Sequence, residues 1–218
     1  MQVINHNTYE ALRAGAQVLE ADGSGDKVLR LTDGCMLKLF RRKRLLSSAL
    51  FYPYAQRFAN NTRALQQRDI PCPRIIAVYR IPSIARDAVY YSPLAGDTIR
   101  QLKLAKAEAD ALRERLGGFI AQLHEKGVYF RSLHFGNVVL TPENTLGLID
   151  IADLSCQASP LSQSKRRRNF SHLRRYAEDR QWLLGDDAGQ AFFNGYRQAL
   201  PAGSQQAPLI ERLRQLLD

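Results

Sequence analysis

Two Asp-Gly turn signals divide the first forty residues into three short apolar runs, and this pattern constrains the fold more than any other feature of the sequence. The turns are "DGSGD" and "TDG", and the runs lie around Val18, at residues 28–31 and at residues 36–40. Asp-Gly steps favour the tight turns that join antiparallel strands. The pattern therefore predicts a three-stranded antiparallel meander.

One helix and two further strands complete the first half of the chain. Tyr54, Phe58 and Leu65 recur at near-helical spacing before "DIPCP" ends the helix. The segments "RIIAVYRI" and "AVYYSPLAG" then predict two more strands. These elements predict a small sheet with one inserted helix.

The character of the sequence changes to helix after residues 92–97. Apolar residues of "AEADALRERLGGFIAQLHEKG" fall on one helical face, and a β-hairpin is predicted from residues 138–140 and 147–149. Two or three helices are predicted between residues 162 and 218. The order predicts an α+β protein with an N-terminal lobe at residues 1–92, a hinge at 93–97 and a helical C-terminal lobe at 98–218.

Composition narrows the class of protein. Cys35, Cys72 and Cys156 are odd in number and have no metal-site spacing, which favours inert thiols in a reducing compartment. The N-terminus has no signal-peptide pattern, and no apolar run is long enough to span a membrane, so we expect a cytoplasmic protein. The formal charge of +10 favours a polyanionic partner, such as nucleic acid, anionic lipid or a phosphorylated ligand.

Two short apolar segments of the C-terminal half carry residues that can bind a metal ion. "FRSLHFGN" ends at Asn137, and "LIDIAD" contains Asp150. A carboxylate and an amide carbonyl are hard oxygen ligands, and with water and phosphate oxygens they suit Mg²⁺. Taken singly, each residue is also an ordinary turn former. Together they predict a magnesium site.

These segments resemble the catalytic loop and the magnesium loop of the protein-kinase-like fold, H-R-D-x-x-x-x-N followed by D-F-G. The pattern places Arg131 on the Arg, and Asn137 and Asp150 on the two magnesium ligands. The "L-H-x-G-N" version is closer to small-molecule kinases such as aminoglycoside phosphotransferases. Over most of the chain the sequence resembles the bacterial lipopolysaccharide core kinase and toluene-tolerance-type family. The resemblance implies a bilobal kinase-like fold, ATP and Mg²⁺ as cofactors, and a sugar hydroxyl as phosphate acceptor.

The resemblance also implies a nucleotide site in the N-terminal lobe. Lys38 on the third strand would contact the α and β phosphates. Gly23 and Gly25 of "DGSGDK" would let backbone N–H groups approach phosphate, although a plain hairpin turn fits them equally. Tyr91 and Leu94 would meet the adenine at the hinge, unless this segment is only a linker.

Three positions depart from the family pattern. Ser132 stands where the catalytic Asp is expected, Phe130 replaces the usual His, and Asn61 best matches the helix Glu that pairs with the strand Lys. Lys38 would then be held by Asp150 or by bound phosphates. His134 or Asp153 could replace the missing base, unless His134 contacts phosphate or supports the loop and Asp153 caps a helix. Binding of nucleotide is therefore better supported than catalysis.

Two clusters of basic residues could bind anions. "FRRKR", which contains Arg41, Arg42, Lys43 and Arg44, could face anionic lipid at the inner membrane or phosphorylated sugars. "SKRRRNFSHLRRY" at residues 164–176 could bind substrate phosphates or nucleic acid. Either cluster is alternatively a solvated surface.

Three functions follow from these patterns. The first is an ATP-dependent kinase that phosphorylates a sugar hydroxyl of the lipopolysaccharide core and can contact the inner membrane peripherally. The second is a pseudokinase that binds nucleotide or a protein partner without transfer, because Ser132 replaces the base. A nucleic-acid-binding module is the third and least supported class. The sequence leaves the acceptor and the oligomeric state open.

Overall fold

The computed structural model describes residues 1–42, 52–202 and 206–215 of the chain. Lys43 and Arg44 of the first basic cluster lie outside these residues. The chain divides into two compact units, Met1–Leu94 with Ile149–Asp153 and Ala95–Leu148 with Leu154–Asp218. The hinge and lobe limits given by the sequence remain a prediction.

The first unit is built on a six-stranded sheet. Its elements are β1 (Gln2–Val3), α1 (His6–Arg13), β2 (Gln17–Asp22), β3 (Gly25–Arg30), β4 (Met36–Arg41), α2 (Tyr54–Gln66), β5 (Arg74–Ile81) and β6 (Arg86–Ser92). The strand order is β1-β5-β6-β4-β3-β2, and only β1 pairs in parallel, with β5. The predicted meander is confirmed as β2–β3–β4, and α2, β5 and β6 form where the sequence predicts them.

The two faces of this sheet have different neighbours. Side chains alternate along a strand, so Leu37 and Leu39 of β4 point away from Lys38. Both leucines are buried in a core that also contains Ile4 and Tyr9, which belongs to α1. On the Lys38 face, α2 contributes aromatic contacts that are described below. The alternation of β4 therefore separates a structural face from a face that carries a charged group.

The second unit is mainly helical. Its elements are β7 (Asp97–Thr98), α3 (Lys106–Glu125), β8 (Val128–Phe130), β9 (Val138–Leu140), β10 (Leu146–Leu148), β11 (Leu154–Cys156), α4 (Gln163–Leu173), α5 (Ala177–Leu184), α6 (Gln190–Gln198) and α7 (Gln206–Arg214). The predicted hairpin is β9–β10, with its second strand one residue earlier than expected. The α+β class is confirmed, with an antiparallel-sheet unit followed by a mainly helical one.

The count of two or three helices after residue 162 is wrong, because the described residues there form four. The prediction missed the break between α4 and α5, where residues 174–176 contain neither glycine nor proline to signal it. Within the described residues, no helix combines the length and apolar character needed to cross a membrane.

Helices α3 and α6 cross at backbone contact. A Cβ added to Gly117 would lie 1.9 Å from the carbonyl oxygen of Phe192, and one added to Gly195 would lie 1.8 Å from that of Glu114. Both glycines are therefore required for this crossing. Beside it, the rings of Phe170 and Tyr196 pack edge-on with centroids 5.5 Å apart and anchor the core of the unit.

Candidate functional site

Lys38 and Asp150 form an ion pair within the first unit. The Lys38 Nζ donates a hydrogen bond of 2.6 Å to the Asp150 Oδ1, and the two side chains are 16% and 50% exposed. Asp150 follows β10 in a left-handed conformation, with φ of 51°, that aspartate tolerates better than most residues. Because α2 has no carboxylate, the sequence left Asp150 or bound phosphates as partners of Lys38, and the contact with Asp150 is the one observed.

Asn61 has a role that the sequence did not reveal. Its side chain is buried on α2, and its Nδ2 donates a hydrogen bond of 2.7 Å to the carbonyl oxygen of Ile151. Ile151 begins the 3₁₀ turn Ile151–Asp153 that directly follows Asp150. Asn61 therefore replaces the ion pair of the kinase pattern by a neutral contact that anchors the segment carrying Asp150.

Aromatic side chains lie near the ion pair. The Tyr91 ring lies 5.2 Å from that of Phe58, and the Lys38 Nζ lies 5.9 Å from the centroid of Phe40. Burial, together with the negative charge of Asp150, raises the pKa of the Tyr91 hydroxyl to about 12. Tyr91 therefore stays neutral near the ion pair, while Leu94 lies half-buried beyond the end of β6.

The "DGSGDK" segment forms the tight hairpin turn between β2 and β3. Asp22 pairs with Gly25, and the backbone N–H of Ser24 donates to the Asp22 Oδ1 at 2.9 Å. The Arg86 side chain donates to the carbonyl oxygen of Ser24 at 2.6 Å. One N–H of the turn is thus already used internally, and contact of Gly23 or Gly25 with phosphate remains a prediction.

The predicted catalytic loop lies in the second unit and is held by side-chain amides. The Asn169 Nδ2, on α4, donates to the carbonyl oxygen of Phe130 at 2.6 Å. Asn137 ends the 3₁₀ turn Phe135–Asn137, and its Nδ2 donates to the carbonyl oxygen of Ser132 at 2.9 Å. The same Nδ2 lies 3.2 Å from the His134 Nε2.

These contacts fix the orientation of the Asn137 amide. Its Nδ2 has two hydrogens, and two acceptors of the loop lie within reach of them. The amide oxygen is therefore directed away from these acceptors, as a metal ligand would require. His134 fits the role of a loop support better than that of a free base, because its Nε2 faces the Asn137 amide.

Arg100 and Asp179 support the same loop, and no sequence pattern indicated this role. Arg100 forms a two-point ion pair with Asp179, at 2.7 and 2.9 Å, and the Asp179 side chain is only 1% exposed. The Asp179 Oδ2 also accepts a hydrogen bond of 2.9 Å from the backbone N–H of Phe135. The partners are 79 residues apart, so no local pattern could have linked them.

The structure groups the predicted site residues by unit. The first unit holds Lys38, Tyr91 and Asp150, with Asp153 in the turn that follows. The second unit holds Ser132, His134 and Asn137. Among the described residues, no three His, Cys, Asp or Glu side chains form a metal-binding group. An ion held by Asp150 or Asn137 would therefore take most of its ligands from water and nucleotide, which suits Mg²⁺.

The second basic cluster divides between core and surface. The hypothesis that this cluster binds phosphate is wrong for Arg166, which is buried, donates 2.6 Å to Glu125 and contacts the Tyr196 hydroxyl at 3.3 Å. Arg166 shares the inward face of α4 with Asn169, Phe170 and Leu173. Arg167, Arg168, Arg174 and Arg175 are exposed. In the first cluster, Arg41 pairs with Asp22 and Arg42 is exposed.

Comparison with known proteins gives one positive result. A model of the phosphotransferase enzyme family matches residues 15–127, which is just over half of the chain, and a search of curated proteins finds no match. The matched residues include Lys38, Asn61 and Tyr91, and they end before Ser132, Asn137 and Asp150. The chain belongs to the phosphotransferase enzyme family.

Proposed function

We propose that this protein is an ATP- and Mg²⁺-dependent kinase that phosphorylates a sugar hydroxyl of the lipopolysaccharide core. The observation that carries the proposal is the ion pair between Lys38 and Asp150. It joins a mostly buried cation on the third strand of the meander to a half-exposed carboxylate on the segment that resembles the magnesium loop.

The roles of these groups follow from their chemistry. Lys38 would bind the α and β phosphates, and Asp150 and the oriented oxygen of Asn137 would hold Mg²⁺. The bound ion would neutralise charge on the phosphate oxygens. Tyr91 and Leu94 would line the adenine site, and Gly23 and Gly25 would lie near the phosphates. Arg41 and Arg42 would support peripheral contact of this cytoplasmic enzyme with the inner membrane.

Ser132 limits the rate of transfer but does not exclude it. A serine hydroxyl is not a general base near neutral pH, and general-base catalysis is worth about 10²- to 10⁴-fold. The transition state of phosphoryl transfer is loose, so electrostatic stabilisation and positioning supply much of the remaining acceleration. We expect slow turnover, with Asp153, or less favourably His134, as a weak substitute base.

The test is transfer of labelled phosphate from ATP to dephosphorylated core oligosaccharide. Asp150→Asn should lower transfer by at least about 100-fold, because it removes a charged ligand at the reacting phosphates. The matched control is Asp186→Asn, since Asp186 also pairs with a lysine, Lys106, at 2.6 Å, but both are exposed. Equal loss in both variants, or unchanged transfer in Asp150→Asn, would contradict the proposal.

A pseudokinase is the second candidate, and Ser132 and Asn61 are the observations that favour it. Both replace a carboxylate of the kinase pattern; the Asn61 side chain instead binds the carbonyl oxygen of Ile151, and the main-chain carbonyl of Ser132 accepts a hydrogen bond from Asn137. Binding of Mg²⁺-ATP without transfer to any sugar, at enzyme concentrations that detect one turnover per hour, would select this function.

A further inference from the structure

A bulge in the β2–β3 hairpin interrupts the regular alternation of side chains at one lysine. Glu20 pairs with Val28, and the next residue of β2, Ala21, pairs with Asp26. Lys27 is thus an extra residue between two cross-strand pairs. A bulge of this kind re-aims the side chain of the extra residue. Lys27 is therefore not bound to the face of the sheet that simple alternation would give it.

The Lys27 ammonium reaches the face of the sheet that carries Lys38. Glu20, Val28 and Lys38 are successive cross-strand partners on β2, β3 and β4, and such partners share one face. The Lys27 Nζ donates a hydrogen bond to the Glu20 Oε1. Because neighbouring strands lie about 4.8 Å apart, the strand of Glu20 is about 10 Å from that of Lys38. The bulge therefore brings a second ammonium group to the Lys38 face.

The electrostatic influence of Asp150 on Lys27 supports this placement. The pKa of the Lys27 ammonium is raised mainly by its hydrogen bond to Glu20, and the negative charge of Asp150 raises it further. Asp150 is also the partner of Lys38, so the two lysines share the field of one carboxylate. All of these residues belong to the first unit.

The ion pair of Lys27 with Glu20 can exchange partners. The two side chains are 40% and 51% exposed, and ion pairs this exposed contribute little to stability. Together with the pair of Lys38 and Asp150, they form a group of four charges with no net charge. ATP with one Mg²⁺ keeps a net negative charge, so its phosphate oxygens can replace Glu20 as the partner of Lys27.

We propose that Lys27 is a second phosphate-binding cation of the nucleotide site, and that the Glu20 carboxylate competes with phosphate for it. This inference rests on the proposed function and adds to it a residue outside the kinase pattern. Since α2 offers Lys38 no carboxylate, Asp150 has to serve both Lys38 and Mg²⁺. Lys27 supplies a further positive charge to the phosphates when Asp150 turns to the metal.

The experiment is calorimetric titration of Mg²⁺-ATP into the protein and its variants, without any acceptor. Lys27→Met should weaken binding about tenfold, because it removes a charge-assisted hydrogen bond to phosphate. Lys27→Arg, which keeps the charge, should restore most of the affinity. Glu20→Gln should tighten binding about threefold, because it removes a competing and repelling carboxylate. The two halves of one ion pair are thus expected to have opposite effects.

Two controls separate a phosphate contact from a general effect of charge or fold. The exposed pair of Lys106 with Asp186, at 2.6 Å in the second unit, supplies matched variants. Lys106→Met and Asp186→Asn should both leave ATP binding unchanged. Adenosine has no phosphate, so Lys27→Met should leave its binding unchanged as well. Denaturant unfolding shows whether each variant keeps its fold.

The contrary results are specific to Lys27. Unchanged ATP binding in Lys27→Met, a loss that Lys27→Arg does not restore, or weaker binding in Glu20→Gln would each overturn the proposal. An equal loss of adenosine binding would overturn it too.

Failure of this inference differs from failure of the proposed function. Weaker ATP binding in Lys38→Met, with unchanged binding in Lys27→Met, removes only the role of Lys27. Absence of ATP binding by the wild-type protein overturns both. Because no acceptor is present, a wrong acceptor in the proposed function leaves the result for Lys27 standing.

Discussion

Two segments of this protein are held by the same kind of contact but present different chemistry. In the first unit, the Asn61 amide donates a hydrogen bond to the carbonyl oxygen of Ile151, the residue after Asp150. In the second unit, the Asn137 amide donates a hydrogen bond to the carbonyl oxygen of Ser132. The first segment offers a charged pair, whereas the second has a neutral hydroxyl where a base is expected. Since both anchors bind main-chain atoms, neither of these two hydrogen bonds uses the side chain at position 132.

Lys38→Met should have the largest effect on the charged segment. It removes the cation that pairs with Asp150, and we expect transfer to fall by about 10²- to 10³-fold. Rates of ATP-dependent transfer, with Lys106→Met as the control for loss of an exposed lysine, measure the effect. Comparable losses in the two variants would show that the Lys38–Asp150 pair has no special role.

Ser132→Asp tests the neutral segment. If the main chain fixes the loop, a carboxylate at this position should raise transfer by about 10- to 100-fold, because it restores a base at an unchanged geometry. The assay uses the same labelled ATP and oligosaccharide, with Ser155→Asp on β11 as a control for added charge. A variant that folds and binds ATP but transfers more slowly would show that position 132 is not the base position.

Asn61→Leu tests the anchor itself. It leaves the carbonyl oxygen of Ile151 without its donor, which should lower the free energy of unfolding by about 1–3 kcal/mol. Asn60→Leu is the matched control, since Asn60 bonds with Gln56 and Tyr52 at a less buried position. Denaturant unfolding measures the free energy of unfolding of both variants. Equal losses of stability would show that the Asn61 contact has no particular role.

The sequence predicted the elements whose signals are local. The Asp-Gly turns predicted the meander, and the absence of a carboxylate on α2 left Asp150 as one of two possible partners of Lys38, the one that is observed. It did not predict the partners of Asn61 or Asp179, because such contacts depend on packing between distant segments. The prediction of a phosphate-binding role for Arg166 was wrong for a related reason. A run of basic residues does not indicate which of them is buried with Phe170.

The last expected effect, absent near neutral pH, is a pH dependence of stability in the second unit. His124 is fully buried between the Tyr196 hydroxyl at 2.8 Å and the Asn169 Oδ1 at 3.0 Å, and burial lowers its pKa from 6.5 to about 3. The unfolded chain therefore binds a proton below about pH 6.5 that the folded chain excludes, so stability is full above this pH and declines as pH falls towards 3. His124→Gln should flatten this decline in denaturant unfolding measured from pH 7 to pH 4. An unchanged slope would show that His124 is not its source.

A crystal structure with Mg²⁺ and a non-hydrolysable ATP analogue tests the central claim most directly. The account predicts one Mg²⁺ bound by an Asp150 carboxylate oxygen and the Asn137 amide oxygen at about 2.0–2.1 Å, with Lys38 on the α or β phosphate. A nucleotide held without either side chain on the metal, or no bound nucleotide at saturating concentration, would contradict it.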